Sequence, residues 1–155
     1  MKKNRLLTKN RIVWTVIYIL YLFWIFTNSL DIAVESSSKS TAVMELLNQI
    51  LFGGTSTLTE HLVRKLAHFS EFALAGVLGH ICFSQWRKEM RSFVLCTLFV
   101  GLFIALCDET IQLFVPGRSG QIMDVWIDFL GYVVGMFVWA IAHKIWSTIK
   151  VITKR

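Results

Sequence analysis

The chain has 155 residues, of which 55% are hydrophobic and only 17% charged, whereas soluble domains carry about 25% charged residues. This composition argues against an ordinary soluble enzyme or binding module, and the length predicts a single domain covering residues 1–155. The net charge of +6 does not indicate nucleic-acid binding, because that requires a basic face in water with interleaved aromatic residues. Here the basic residues flank apolar segments instead.

Four apolar runs reach about the 20 residues that cross a bilayer as a helix. They cover residues 12–30, 66–84, 93–115 and 122–146. Membrane strands would be about 9–11 residues long and would alternate polar with apolar residues, so we predict an all-α membrane protein with four transmembrane helices. The first run follows a basic segment, as in a signal peptide. Its length, its aromatic residues and its polar end without a small-residue cleavage site favour a retained helix.

The first and second of these helices are joined by a long connection, residues 31–65. Within it, apolar residues recur at helical spacing from Val43 to Leu51. This pattern predicts an amphipathic helix that either lies flat on the outer leaflet or covers the end of the bundle. Its polar face has no basic residue, which favours covering over electrostatic attachment to lipid. Gly53 is expected to end this helix, and Thr59 to cap the next one.

The basic residues are distributed unequally between the two sides of the predicted bundle. Twelve of the 16 lie before the first helix, in the loop at residues 85–91, or at the end of the fourth helix and beyond it. The positive-inside rule therefore predicts that both termini are cytoplasmic and that residues 31–65 are outside. In this topology the second helix begins, the third ends and the fourth begins at the extracytoplasmic side.

Three polar clusters are predicted to meet at that extracytoplasmic end. Nine candidate ligand-binding residues make up the clusters: Lys65, His68 and Glu71; Asp108, Glu109, Gln112 and Arg118; Asp124 and Asp128. Arg64 is assigned to the solvated interface. Ionisable groups at membrane depth are costly and usually face a protein interior or a cavity, which makes them functional candidates. Ion pairs that merely hold the bundle are the alternative, although nine polar groups exceed what four helices require.

Small residues continue each cluster along the same helical face. They are Ala75 and Gly79 after His68, Gly101 and Ala105 before Asp108, and Gly131 and Gly135 after Asp128. Small residues mark faces where membrane helices approach closely, so the polar groups are predicted to point into the bundle rather than into lipid. Pro116 and Gly117 predict a type II turn between the third and fourth helices.

Two motifs in these clusters carry a family resemblance. KLAHFSEF at residues 65–72 and DETIQLFVPGR at residues 108–118, followed by Asp124, Gly131 and Gly135, resemble the VanZ-like family over residues 65–135. Members of that family are small bacterial membrane proteins, and the namesake is linked to teicoplanin resistance. The resemblance therefore implies the plasma membrane of a bacterium and a role in glycopeptide resistance. Asp128 departs from the family pattern, in which we expect Asn.

The leading hypothesis is a polar pocket that alters how envelope-active antibiotics engage the cell surface. Its ligand would be a membrane lipid, a lipid-linked cell-wall precursor or a glycopeptide. Lys65 and Arg118 would hold its phosphate or carboxylate, with Arg118 acting through its bidentate guanidinium. The acidic residues and His68 would orient these cations or exchange protons.

Two other functions are open on sequence grounds. One is an intramembrane hydrolase or transferase acting on a cell-wall lipid, with His68 as general base, a carboxylate that orients it, and Arg118 as charge stabiliser. Its candidate catalytic residues are His68, Glu71, Asp108 and Asp124. The other is a proton-coupled carrier, for which four helices would have to oligomerise. No cofactor is predicted; the acids and His68 could hold a divalent metal, but the sequence has no metal motif such as HExxH.

Overall fold

The computed structural model describes residues 2–55, 57–86 and 90–153, and five helices account for most of them. The helices are α1 (Lys2–Ser29), α2 (Ala33–Phe52), α3 (Glu60–Trp86), α4 (Met90–Leu113) and α5 (Ile122–Ile152). The described residues contain no strand, and the prediction of an all-α fold is confirmed.

Four segments are long and apolar enough to cross a bilayer. They are Lys9–Ser29, Glu60–Trp86, Phe93–Leu113 and Ile122–Ile152. Large apolar side chains on these segments are exposed in the isolated chain, including Phe23 at 71% and Phe99 at 72%. Such an apolar exterior suits a chain whose solvent is lipid. The protein is therefore a membrane protein with four candidate spans, as the sequence predicted.

Helices α3 and α5 form the most extensive helix pair in the fold. A Cβ added at Gly131 would collide with the carbonyl oxygen of Phe69, and one added at Gly135 with that of Ala73. The two backbones approach so closely only because these positions lack side chains, which is the usual role of small residues between membrane helices. The predicted close-contact face of the fourth transmembrane helix is confirmed.

Tyr132 lies at the centre of the bundle and is 0% exposed. Its ring packs against Gly101 of α4 and its hydroxyl against Gly79 of α3. The hydroxyl also lies 2.9 Å from that of Tyr18 on α1, within hydrogen-bonding distance. The small residues of the predicted inward faces thus make room for a large side chain whose polar end is satisfied.

Helix α2 is longer than its apolar pattern, because it begins at Ala33. Its buried residues are polar, namely Ser40 and Asn48. Asn48 accepts a hydrogen bond from the Leu58 amide at 3.0 Å and so ties the following loop to the helix. Four apolar residues of the pattern are exposed, namely Val43, Leu46, Ile50 and Leu51, at 48–68%, and Leu47 is half-buried. Helix α2 packs on α3 through its polar side, so most of its apolar face is left exposed, and whether that face lies on the outer leaflet stays a prediction.

Three local predictions at the helix ends are confirmed. Gly53 ends α2 in the left-handed conformation, with φ 59°. Thr59 caps α3, because its Oγ1 accepts a hydrogen bond from the Leu62 amide at 3.3 Å. Gly117 has φ 77° and follows Pro116 in a turn closed by the Arg118 amide, which donates to the Val115 carbonyl at 3.2 Å. This is the geometry of a type II turn.

Some of the basic residues used to predict the orientation lie outside the described residues. They are Arg87 and Lys88 of the loop after α3, and Lys154 and Arg155 at the C-terminus. The orientation of the helices relative to the cytoplasm therefore stays a prediction.

Candidate functional site

The candidate site lies where α3 and α5 begin and α4 ends, which we call the polar end of the bundle. The Thr59 cap fixes the start of α3, and the Pro116-Gly117 turn reverses the chain between α4 and α5. Two cavities open there, and both are lined by Arg64, His68 and Arg118.

The first, the α4–α5 cavity, has a volume of about 90 Å³, enough for several water-sized groups. Its lining is mostly polar: Ala33, Arg64, Lys65, His68, Glu109, Gln112, Gly117, Arg118, Ser119, Gln121, Asp124, Ile127 and Asp128. Seven of the nine candidate residues contribute to this wall. Arg64 does so too, although the sequence assigned it to the solvated interface.

Lys65 and Asp124 form the clearest ion pair of the site. Lys65 Nζ lies 2.7 Å from Asp124 Oδ1, and the two side chains are 26% and 31% exposed. The pair joins the first turns of α3 to the first turn of α5 at the wall of the α4–α5 cavity. The charge of Lys65, which the sequence analysis assigned to ligand binding, is therefore already compensated by Asp124.

Asp108 is completely buried and well supplied with donors. It accepts hydrogen bonds from the Ser29 hydroxyl and, at 2.8 Å, from the Gln112 side-chain amide. Asp128 is also buried, at 1% exposed, but it lacks such donors. Its Oδ1 lies 3.9 Å from His68 Nδ1, which is too long for a hydrogen bond. Its Oδ2 has no partner among the described residues. An unsatisfied buried carboxylate is costly, so this position requires a physical explanation.

Arg118 is held by neutral groups. Its guanidinium donates to the Ser29 carbonyl and to the Ser36 hydroxyl, each at 3.1 Å. Among the described residues, no carboxylate oxygen lies within the 4.0 Å of an ion pair with it. The side chain is thus fixed at the boundary of both cavities while its charge is not directly paired.

A match to a family model is consistent with this arrangement. The model described as VanZ/LLP1 matches residues 15–143, which includes two of the four candidate spans completely, most of the other two, and the whole polar end. The chain belongs to the VanZ/LLP1 family. No curated protein and no solved structure matches the chain.

Within this VanZ/LLP1 domain, Glu109 makes a structural contact that sequence analysis did not predict, because Glu109 lies beside the α4 face that carries Asp108 and Gln112. It is 5% exposed, and its Oε1 accepts a hydrogen bond from the Gln121 amide at 2.5 Å. Gln121 directly precedes α5. Glu109 therefore fixes the start of α5 to the end of α4, and with it the position of Asp124.

Glu71 lines the second cavity of the VanZ/LLP1 domain rather than the first. This α1–α2 cavity has a volume of about 330 Å³ and is bounded by α1, α2, α3 and Arg118. Glu71 accepts a long hydrogen bond, 3.5 Å, from the Asn28 side chain. At the same wall Lys39 lies 2.5 Å from Asp31, whose carboxylate raises the pKa of Lys39.

The polar residues contributed by α1 and α2 were missed by sequence reasoning. Ser29 donates to Asp108 and also offers its carbonyl to Arg118, while Ser36 accepts from the same guanidinium. Asn28 and Ser29 looked like the polar end of a helix, and Ser36 belongs to a serine run with no distinguishing pattern. Only the tertiary fold brings them to the site.

Proposed function

We propose that this protein binds an anionic group, a phosphate or carboxylate, of a membrane-associated envelope molecule at the polar end of the bundle. Through that binding it contributes to glycopeptide resistance of the teicoplanin type. The observation that carries the proposal is Arg118, a fixed guanidinium at both cavities whose hydrogen-bond partners are neutral oxygens. Arginine is the side chain best suited to bidentate recognition of phosphate and carboxylate.

A second cation supports the same ligand chemistry. Arg64 also lines both cavities, and its contact with Glu60 is long, at 3.8 Å, with both side chains 36% exposed. An exposed pair of this kind contributes little stabilisation, so an anion can compete for Arg64 at small cost. Lys65 is already paired with Asp124, so its role here is to position that carboxylate rather than to add free positive charge.

The surroundings of the site favour an amphiphilic ligand over a freely soluble one. Phe114, Ile122 and Met123 flank the residues of the α4–α5 cavity along the chain and are 83%, 80% and 66% exposed. A headgroup placed against Arg118 would leave its hydrocarbon tail beside such apolar side chains. The positive-inside distribution supports a polar end outside the cytoplasm, in our proposal at the outer leaflet of the bacterial plasma membrane.

The family name connects the protein with glycopeptide antibiotics. In our proposal the site lies at the outer face of the membrane, where it binds a lipid-linked cell-wall precursor or a glycopeptide. Binding of the precursor or of the glycopeptide would alter how the two engage each other. Both carry the anionic chemistry that Arg118 recognises.

The test is direct binding of a polyprenyl phosphate to the full-length protein in nanodiscs, measured by native mass spectrometry and by titration. Arg118→Lys keeps the charge but removes the bidentate fork, so we expect affinity to fall about tenfold or more. Arg11→Lys is the matched control, because Arg11 lies at the opposite end of the bundle over the Trp86 ring. Equal affinities in wild type and both variants would refute the Arg118 site. The same titration with a glycopeptide in place of the polyprenyl phosphate would show which of these two ligands the site binds.

An enzymatic function has one specific observation in its favour. His68 lines both cavities, and its Nδ1 faces the Asp128 carboxylate at 3.9 Å. A histidine backed by a buried carboxylate is the arrangement of a general base, and such contacts are often loose before substrate binds. Release of a product from the bound polyprenyl lipid, lost in His68→Gln, would favour this alternative over simple binding.

A further inference from the structure

We propose that His68, Asp108 and Asp128 form a site for a divalent transition-metal ion, Zn²⁺ or Mn²⁺, at the base of the α4–α5 cavity. Each of the three offers one donor atom, and all three atoms lie within 4.8 Å of one another. The donors come from three different helices, α3, α4 and α5, so an ion there would join the three elements that form the polar end.

The spacing of the donors is compatible with such an ion after small adjustments. Zinc bonds to histidine nitrogen and carboxylate oxygen are about 2.0–2.2 Å long. Donors at most 4.8 Å apart can reach these bond lengths by shifts of less than about 1 Å. Side-chain rotation at His68, whose side chain is 23% exposed, supplies part of that movement.

An independent observation, the unpaired Asp128 carboxylate, favours a bound cation. Asp128 is 1% exposed, and its Oδ2 has no hydrogen-bond partner among the described residues. Charge burial without a partner is strongly unfavourable, and the nearest candidate, His68, is beyond hydrogen-bonding distance. A metal ion bound between these groups would compensate the charge of the buried Asp128 carboxylate. A proton held on the carboxylate is the competing explanation.

The chemistry of the donors selects the class of metal. Calcium and magnesium prefer sites built from oxygen ligands alone, whereas imidazole together with carboxylates suits zinc and related transition metals, and carboxylates also suit manganese. The ion has a route of entry, because His68 and Asp128 both line the α4–α5 cavity. Gln112 and Ser29 orient Asp108 by hydrogen bonds. Hydrogen bonds of this kind fix the orientation of ligands at metal sites.

The experiment measures metal content of the purified full-length protein after incubation with Zn²⁺ or Mn²⁺ and desalting. We expect about one equivalent of one of these ions in the wild type, retained in the presence of excess Mg²⁺. Asp128→Asn removes a ligand at nearly constant shape and should weaken binding about tenfold or more. Glu45→Gln is the matched control, since it removes an exposed carboxylate of α2 outside the site, and it should leave the metal content unchanged.

A wild-type protein that retains neither ion would overturn the proposal, and so would equal metal affinity in wild type and Asp128→Asn. Thermal melts of the wild type with and without each ion test metal binding even if the variant misfolds. An ion that binds the native state raises the melting temperature of the wild type. The metal site does not depend on the proposed function. Loss of polyprenyl phosphate binding in Arg118→Lys with unchanged metal content would separate the two.

Discussion

Lys65 Nζ on α3 lies 2.7 Å from Asp124 Oδ1 on α5, at the end of the interface where the two helices begin. Farther along the same interface, Gly131 and Gly135 bring α5 against the α3 backbone. The α3–α5 pair is thus fixed by an ion pair at its polar end and by close backbone packing within the bundle. The two kinds of contact can be tested separately.

The Lys65–Asp124 pair should contribute measurable but modest stability. Exposed ion pairs contribute about 0.2–1 kcal/mol, and this pair is only about one-quarter to one-third exposed. In a double-mutant cycle with Lys65→Met and Asp124→Asn, we expect a coupling of about 1 kcal/mol in unfolding free energy. Chemical unfolding in mild detergent measures it. Strictly additive effects of the two substitutions would contradict the pairing.

The glycine contact should be far less tolerant. Even Gly135→Ala places a Cβ against the Ala73 carbonyl oxygen, so the helices must separate, and overpacking of this kind costs about 1–3 kcal/mol. Val134→Ala is the control, because Val134 is 38% exposed on the neighbouring face. Thermal melts in detergent compare the two. An unchanged melting temperature for Gly135→Ala would mean that α3 and α5 do not pack through this face.

The contacts within single helices and turns could be predicted from sequence because they depend on residues close together in the chain. Thr59 caps α3 and Gly53 ends α2, since each reflects a local backbone requirement. The inward direction of Asp108 could be predicted from helical periodicity, because Ala105 lies on the same face. Asp108 and Ala105 are both 0% exposed. Periodicity determines which way a side chain points on its own helix.

Partners on distant helices could not be predicted in the same way. Ser29 reaches Asp108, and Ser36 reaches Arg118, across long separations in sequence. Nothing in a serine's own surroundings distinguishes such a partner from a solvated serine. The early start of α2 was missed for a related reason. Its first turn is held by the Ala33 amide donating to the Pro116 carbonyl, and such tertiary contacts override weak helix propensity.

The membrane orientation is a separate prediction. We expect residues 53–54, which follow α2, to be extracytoplasmic and the C-terminus to be cytoplasmic, because twelve of the 16 basic residues lie on the opposite side from the polar end. Reporter fusions after Gly54 and after Arg155 measure both positions. The loop after α2 is a suitable fusion point, since a side chain at Gly54 would contact nothing within 4 Å. A periplasmic or extracellular C-terminus would move the polar end to the cytoplasmic face.

The final prediction separates a functional polar end from a structural one by comparing resistance with protein abundance. Arg118→Lys retains the charge without the bidentate fork, and His68→Gln retains a polar side chain without the titratable ring. If the site is functional, each variant should lower glycopeptide tolerance while its abundance in the membrane stays near wild type. If the polar groups serve only to hold the bundle, tolerance and abundance should fall together. Arg118→Lys removes the donor of the Ser29 carbonyl and of the Ser36 hydroxyl, and loss of such contacts destabilises the fold.

The two variants also distinguish anion binding from proton-transfer catalysis. Anion binding depends chiefly on Arg118, whose guanidinium lines both cavities and has no carboxylate within ion-pair distance in the described part of the chain. Arg118→Lys should therefore cause the larger loss of tolerance. Proton-transfer catalysis depends on His68 and would lose about 10²-fold or more in His68→Gln. Arg11→Lys, at the far end of the bundle, should match wild type in both measurements. Full tolerance with normal abundance in both site variants would rule out a functional role for the polar end.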